Sequence, residues 1–160
     1  MPNDSENEPD APGAPGIEPR WTSSAKTGVG TARQTDSQLW FTVSHGILDE
    51  IYWPEVDHAC TRDMGFIVTD GKDFFSEEKR NTNHKVEYLA DGVPAFRLTN
   101  ECEEGRYRIE KEIVADPRLD VLLVRTRFVA LRQDELFLFI LLAPHLDNGG
   151  AHNKAWSAEM

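Results

Sequence analysis

Short apolar runs that alternate with polar residues constrain the fold of this chain more than any other feature of its sequence. The alternation is clearest in residues 106–115, where Tyr107, Ile109 and Ile113 share one face and Lys111 interrupts it. The opposite face carries arginine and glutamate. A period of two residues is typical of a β-strand that buries one face and exposes the other to water.

Turn signals separate these runs. Asp70-Gly71 and Asp91-Gly92 each stand between two apolar segments, and Asp116-Pro117 favours a type I turn. The pattern gives roughly nine to eleven strands and no long helix. We therefore predict an all-β fold, a large antiparallel two-sheet sandwich. The strands predicted after the first hairpin cover residues 62–69, 72–78, 85–90, 95–100, 106–115, 120–131 and 135–143.

The run Glu135–Ala143 differs from the others because it is apolar on both faces. Strands of this kind are buried on both sides. We expect it to be a central strand, covered between two layers.

The stretch Leu39–Asp57 combines a predicted hairpin with a loop of unusual composition. Its first part alternates around a Ser44-His45-Gly46 turn, as a half-buried hairpin does. Its last part has two aromatic rings, a proline and two acids, which suit a loop better than a strand interior. Two interpretations stay open: an aromatic cluster that packs the edge of the sandwich, or a loop that contacts a sugar or a neighbouring domain. The candidate residues for the second are Tyr52, Trp53, Glu55, Asp57 and Arg62.

The sequence supports no metal site and no cofactor. The five histidines are scattered, and His58-Ala59-Cys60 is the only close pair of histidine and cysteine. A calcium site built from aspartates and backbone oxygens stays open, without a DxDxDG pattern to support it. Cys60 and Cys102 define no disulfide framework, so a bridge and two buried thiols are both open alternatives.

No residue is predicted to be catalytic. Ser44 and His45 are adjacent, and no GxSxG elbow accompanies them. The acid pairs Glu77-Glu78 and Glu103-Glu104 are expected to be solvated charges, because adjacent residues of a strand point to opposite faces.

The formal net charge of −11, from 28 acids against 17 bases, argues against partners such as nucleic acid and anionic membranes. No apolar run approaches the roughly 18 residues of a membrane span. The N-terminus has neither a basic start nor an apolar core. We expect a cytoplasmic protein, or an extracellular one if a signal peptide was removed.

Several segments occur together in an order that is characteristic of a known family. They are APGAPG, KTGVGTA, SQLWFTVSHGILDEIYWPEVD, RDMGFIVTDG, FFSEE, GVPAFRLTN, YRIEKEIVADPRLDVLL and LAPHLDNGG. The chain resembles the N-terminal domain of bacterial and archaeal glucoamylases and glucodextranases, in glycoside hydrolase family 15. The resemblance covers roughly residues 11–157.

The resemblance implies a galactose-mutarotase-like super-sandwich, followed by a linker and an (α/α)6 barrel that holds both catalytic glutamates. It implies an inverting, exo-acting hydrolase of α-glucans, with the choice of α-1,4 or α-1,6 linkage left open. It assigns no catalytic residue to this chain, because the barrel is not among these residues. The implied partners are the barrel in cis and an α-glucan or maltooligosaccharide. The loop from Tyr52 to Asp57, with Arg62, becomes the candidate contact with the rim of the barrel.

The predicted organisation has three parts: a disordered tail at 1–16, a sandwich domain at 17–143, and a polar, glycine-rich segment at 144–160 that leads toward the catalytic domain. Two other functions stay open. A free-standing carbohydrate-binding module for α-glucans would expose a flat row of aromatic rings. A small enzyme of the mutarotase type would need a histidine and a carboxylate in one cleft, and the wide spacing of His45, His84 and His145 does not support it.

Overall fold

The structure, a computed structural model, describes residues 25–34, 36–149 and 153 of the chain. The predicted tail at 1–16 lies outside these residues, as do residues 150–152 and 154–160 of the predicted connecting segment. Strands dominate the described residues, and the single helical element is a 3-10 turn at Leu146–Asn148. The strands are β1 Gly28–Thr31, β2 Trp40–Ser44, β3 Ile47–Tyr52, β4 Ala59–Thr69, β5 Phe75–Glu77, β6 Thr82–Tyr88, β7 Phe96–Cys102, β8 Tyr107–Ala115, β9 Leu122–Ala130 and β10 Phe137–Pro144.

These strands form two antiparallel sheets. The first has six strands in the order β1-β2-β3-β4-β10, with β5 also paired to β4, and the second has four in the order β6-β7-β8-β9. Within each sheet, every pair of neighbouring strands is antiparallel. The predicted all-β class and two-sheet sandwich are therefore confirmed. No helix among the described residues has the length and apolarity needed to cross a membrane.

The core lies between the two sheets, where alternation places apolar side chains from both. Tyr107, Ile109 and Ile113 of β8 are fully buried, as the sequence pattern predicts. Phe41 from the first sheet meets Phe96 from the second edge to face, with ring centroids 6.0 Å apart. Edge-to-face aromatic contacts of this kind contribute about 0.5–1.5 kcal/mol beyond the area that they bury.

The first hairpin reverses at the predicted Ser44-His45-Gly46 segment, where the turn itself has two residues. Ser44 pairs with Ile47, and the turn residues His45 and Gly46 both have positive φ, at 49° and 72°. A turn of this hand matches the twist of the strands that it joins. The Asn100 side chain of β7 donates a hydrogen bond of 2.7 Å to the Gly46 carbonyl, so the turn is also tied to the second sheet.

The interruption of β8 by Lys111 is explained by a buried ion pair. Lys111 and Glu78 are both fully buried, and the Lys111 ammonium lies 2.8 Å from a Glu78 carboxylate oxygen. The Asn100 amide also bonds to this carboxylate. The expectation that Glu78 is solvated is therefore wrong, because its cation comes from a strand far along the chain. Glu103 and Glu104 are exposed, as expected.

The expectation that the last run is a central strand is wrong for the described residues. β10 pairs with β4 on one side only and lies at the edge of its sheet. Six consecutive side chains, from Phe137 to Leu142, are exposed at 36% to 65% on both faces of the strand. Local apolarity predicts that a strand will be covered, but it does not say which part of a polypeptide covers it.

Candidate contact surface at the end of the first sheet

The ring-and-acid segment forms a closed loop between β3 and β4. It leaves β3 after Tyr52 and contains a cis peptide bond between Trp53 and Pro54. The Trp53 N–H donates to the His58 carbonyl at 3.0 Å, and the His58 N–H donates to the Glu55 carbonyl at 3.0 Å. The loop is therefore defined by its own backbone bonds.

Trp53 is the large ring that this loop presents. It is 46% exposed, and its indole N–H donates to the carboxylate of Asp120. Asp120 precedes β9 of the second sheet, and its carboxylate also accepts the Gln38 N–H at 2.6 Å. The Trp53 bond and then the Gln38 bond lower the pKa of Asp120, because they favour its charged form. The ring is therefore anchored at its polar edge while much of its surface stays open.

Tyr52 has a different environment from its neighbour. Its side chain is half-buried, and its hydroxyl donates to the Glu50 carboxylate at 2.6 Å. Lys26 lies 2.6 Å from the same carboxylate oxygen and also pairs with Asp49, which is fully buried. Burial and then the Glu50 bond raise the pKa of Tyr52, so its hydroxyl stays protonated and remains a donor. Tyr52 thus belongs to a polar cluster beneath the loop.

The two acids of the loop point to solvent, whereas Arg62 lies on a strand. Glu55 and Asp57 are exposed, as is Val56 between them. Arg62 is a residue of β4, and its guanidinium bonds to the neighbouring Asp63 at 3.2 Å. It also lines a groove beside β10, whose walls include Asp63, Gly65, Leu141, Leu142 and Ala143.

The five candidate residues therefore divide into two groups. Trp53, Glu55 and Asp57 are presented on the loop, and Tyr52 and Arg62 lie in polar surroundings on β3 and β4. Their role in contact with a partner stays a prediction.

Sequence reasoning missed the groups that support this surface. They are Lys26, Asp49, Glu50, Asp120 and His145. The sequence signal for two of them was present, because two adjacent acids inside the apolar strand ILDEIY call for a partner. Asp120 and His145 had no such signal.

Two further findings concern metals and thiols. Among the residues described, no three or more histidine, cysteine, aspartate or glutamate side chains are grouped so that they could hold a metal ion. Cys60 is half-buried and Cys102 is buried, and both are free thiols. The two cysteines therefore do not form the disulfide that the sequence left open.

The architecture defines the described part of the chain as a β-sandwich domain of two antiparallel sheets. The chain belongs to the glucodextranase domain N family, whose family model matches residues 11–160. This confirms the resemblance that the sequence segments carry.

Comparisons with individual proteins agree with the family. A glucoamylase of Clostridium sp. (strain G0005) is 40% identical over 144 residues, which are 89% of this chain and 20% of the relative. A crystal structure of bacterial glucoamylase complexed with acarbose superposes with a TM-score of 0.84 at 38% identity. The match covers 90% of this chain and 22% of that one. The chain thus spans about a fifth of the length of these relatives.

Proposed function

We propose that this chain is the non-catalytic sandwich domain of a glucoamylase-like, exo-acting α-glucosidase. In this proposal it packs on a catalytic (α/α)6 barrel in cis and shapes the rim of the active site. The substrate of the whole enzyme is an α-glucan or a maltooligosaccharide, and this domain needs no cofactor.

The observation that carries the proposal is the state of Trp53. An aromatic ring of this size is usually buried, and burial of a large apolar side chain stabilises by about 1.5–3 kcal/mol. Here nearly half of the ring is exposed, although the Asp120 bond and the loop backbone hold it in place. A ring that is fixed before it binds loses little conformational entropy on contact, which suits an anchor in an interface.

The buried carboxylates support a role without catalysis. Hydrolysis with inversion needs one carboxylic acid and one carboxylate, about 6.5–9.5 Å apart, with room for a water molecule. Asp49 and Glu50 are instead paired with Lys26, and Glu78 is paired with Lys111 in the core. These acids balance cations within the fold.

A chimera tests the contact directly. This chain would replace the matched region of the Clostridium glucoamylase, and kcat and KM would be measured on maltooligosaccharides. We expect Trp53→Ala and Asp57→Ala each to lower kcat/KM by roughly fivefold, the equivalent of about 1 kcal/mol. The matched control is Phe75→Ala, since Phe75 is a 63% exposed ring on β5. If kcat, KM and stability were all unchanged in both loop variants, the proposed contact would be refuted.

Sugar binding by the isolated chain distinguishes the proposed function from that of a carbohydrate-binding module. Titration calorimetry with maltose and dextran oligosaccharides should give no measurable heat of binding, because the proposed contact needs the barrel. Clear binding by the isolated chain that is lost in Trp53→Ala would favour the module.

A further inference from the structure

Two histidine side chains meet at an edge of the sandwich, between its two sheets. His45 lies in the turn of the first hairpin, and His84 lies on β6 of the second sheet. Their ring centroids are 6.4 Å apart, and the ring planes are inclined by 59°. The turn and the Trp53 loop lie at opposite ends of β3, so the proposed function makes no use of this pair.

The register of β6 directs His84 toward the first hairpin. His84 stands opposite Asn100 in the pairing of β6 with β7, so the two side chains share one face of the second sheet. Asn100 is fully buried and reaches the first hairpin, where its amide donates to the Gly46 carbonyl. His84 is exposed and His45 is half-buried, so both rings are accessible to an ion from solvent.

A hydrogen bond orients the His45 ring. Its Nδ1 atom lies 3.1 Å from the hydroxyl oxygen of Ser44, which is buried. When the Nδ1–H group donates to this oxygen, Nε2 keeps its lone pair and is free to bind a metal ion. Histidines that bind metals commonly donate their other N–H group in this way, and the bond fixes the tautomer and the ring orientation. Ser44 is therefore suited to support a metal-binding histidine.

A buried acceptor beside the pair also points to a ligand. The Oδ1 atom of Asn100 is buried and has no hydrogen-bond partner, whereas the Nδ2 atom bonds to both Gly46 and Glu78. A Cβ atom at Gly46 would collide with Oδ1 and with the His84 Cβ, so these two groups lie close together beneath the turn. An unpaired buried acceptor is costly, and a water molecule bound to a nearby ion would donate to it.

We propose that His45 and His84 bind a divalent transition metal ion, Zn²⁺, which links the two sheets at this edge. An ion about 2.1 Å from one nitrogen of each ring places the ring centroids about 5 Å apart at a tetrahedral angle, so the exposed His84 ring moves by roughly 1 Å on binding. Water molecules fill the other coordination positions, and one of them donates to Asn100. Imidazole nitrogens favour zinc over calcium and magnesium, which prefer oxygen ligands.

Titration calorimetry of the 160-residue chain, without a polyhistidine tag, tests this site with zinc chloride. We expect a dissociation constant on the order of 10 μM, because two protein ligands bind zinc more weakly than the four of a structural site. His45→Asn and His84→Gln should each weaken binding at least about tenfold, since even the loss of an outer partner of a ligand costs about 10–100-fold. Asparagine suits position 45 because it tolerates the φ of 49° there.

The matched control is His58→Gln, at a half-buried histidine of the Trp53 loop that lies next but one to Cys60. It should keep the zinc affinity of the original chain. Calcium chloride should give no heat of binding at the same concentrations. The proposal would be overturned if the original chain bound no zinc at about ten times the expected dissociation constant, or if His58→Gln lost as much affinity as the two variants of the pair.

Urea denaturation adds a readout that does not depend on the heat of binding. Zinc at about ten times its dissociation constant should raise the ratio of folded to unfolded chain about tenfold, because the ion binds the folded state. The ratio should stay constant in His84→Gln, whose stability without zinc should equal that of the original chain. An equal rise in both proteins would assign the zinc to another site and overturn the proposal. The kinetics of the Trp53 variants are independent of this result.

Discussion

At the scale of single residues, the buried pair of Lys111 and Glu78 shows how one polar contact is accommodated in this core. Burial raises the pKa of Glu78 and lowers the pKa of Lys111, and the charge of each partner opposes the shift of the other. The Lys111 ammonium also lies 5.6 Å from the centroid of the Phe66 ring. Each charge is tolerated because the other is present.

Removal of one member of this pair should therefore destabilise the fold strongly. We expect Lys111→Met to lower the free energy of unfolding by roughly 3–5 kcal/mol, because Glu78 would stay buried without its cation. Urea denaturation measures the change. The double variant Lys111→Met with Glu78→Leu should recover most of the loss. A single variant as stable as the original chain would contradict this account of the pair.

His145 gives the fold a predictable response to pH. It is buried, and its backbone N–H donates to the Cys60 carbonyl at 2.8 Å. Burial and then the charge of Arg62 lower the pKa of His145 below its ordinary 6.5, against the opposing effects of Asp63 and Glu50. The unfolded chain therefore binds a proton here more readily than the folded chain does.

The sign of the resulting effect follows from this difference. The contribution of His145 to stability is fully present above pH 6.5 and is lost as the pH falls through the pKa of the folded state. We expect the denaturation midpoint to fall on acidification from about pH 7 to about pH 5, and to fall less steeply in His145→Gln. If the midpoint fell equally with pH in the original chain and in His145→Gln, His145 would not be the cause.

At the scale of elements, the first hairpin depends on a glycine for two separate reasons. Gly46 has a φ of 72°, and a Cβ at this position would lie 2.7 Å from the His84 Cβ and would also collide with the Asn100 side chain. Gly92 has a similar φ of 70° but has open space around it. A comparison of substitutions at Gly46 and Gly92 therefore separates the effect of backbone strain from that of steric conflict.

We expect Gly46→Ala to lower the free energy of unfolding by roughly 2–4 kcal/mol and Gly92→Ala by only about 1 kcal/mol. The larger loss reflects displacement of Asn100, which also bonds to Glu78. Chemical denaturation of both variants under one set of conditions provides the comparison. Equal losses would mean that the turn tolerates the extra atom.

The elements also show what the sequence can and cannot reveal. The alternation of β8 and the place of the turn in the first hairpin were predictable, because both depend on neighbours in sequence. The burial of Glu78 was not, because Lys111 reaches it from another sheet. The predicted strand 72–78 is reduced to Phe75–Glu77, since Asp70 accepts the N–H groups of Lys72 and Phe74 and holds a turn there.

The candidate surface was predictable in composition and less so in geometry. The two rings and two acids after β3 were visible in the sequence, and Trp53, Glu55 and Asp57 are exposed together on one loop. The anchoring of Trp53 by Asp120 could not be predicted, because the two residues lie in loops that adjoin different sheets. The hydroxyl of Tyr52 donates a hydrogen bond to Glu50, and Glu50 in turn is paired with Lys26, which is distant in the sequence.

At the scale of the whole molecule, the described chain is a two-sheet sandwich with two incompletely covered regions. One is the loop with Trp53, and the other is β10. The outer face of the second sheet instead carries a network of charged side chains, in which Arg97 and Arg125 pair with Glu112, and Arg108 and Arg127 pair with Glu110. We therefore expect a partner to pack against these two regions of the sandwich.

In the proposed enzyme, the loop of Trp53 contacts the catalytic barrel. Oxidative footprinting of Trp53, in the isolated chain and in the chimera with the Clostridium glucoamylase, measures this contact. We predict that the indole oxidises readily in the isolated chain, where it is 46% exposed, and roughly tenfold more slowly in the chimera, where the barrel covers it. Equal rates of oxidation in the two proteins would contradict the claim.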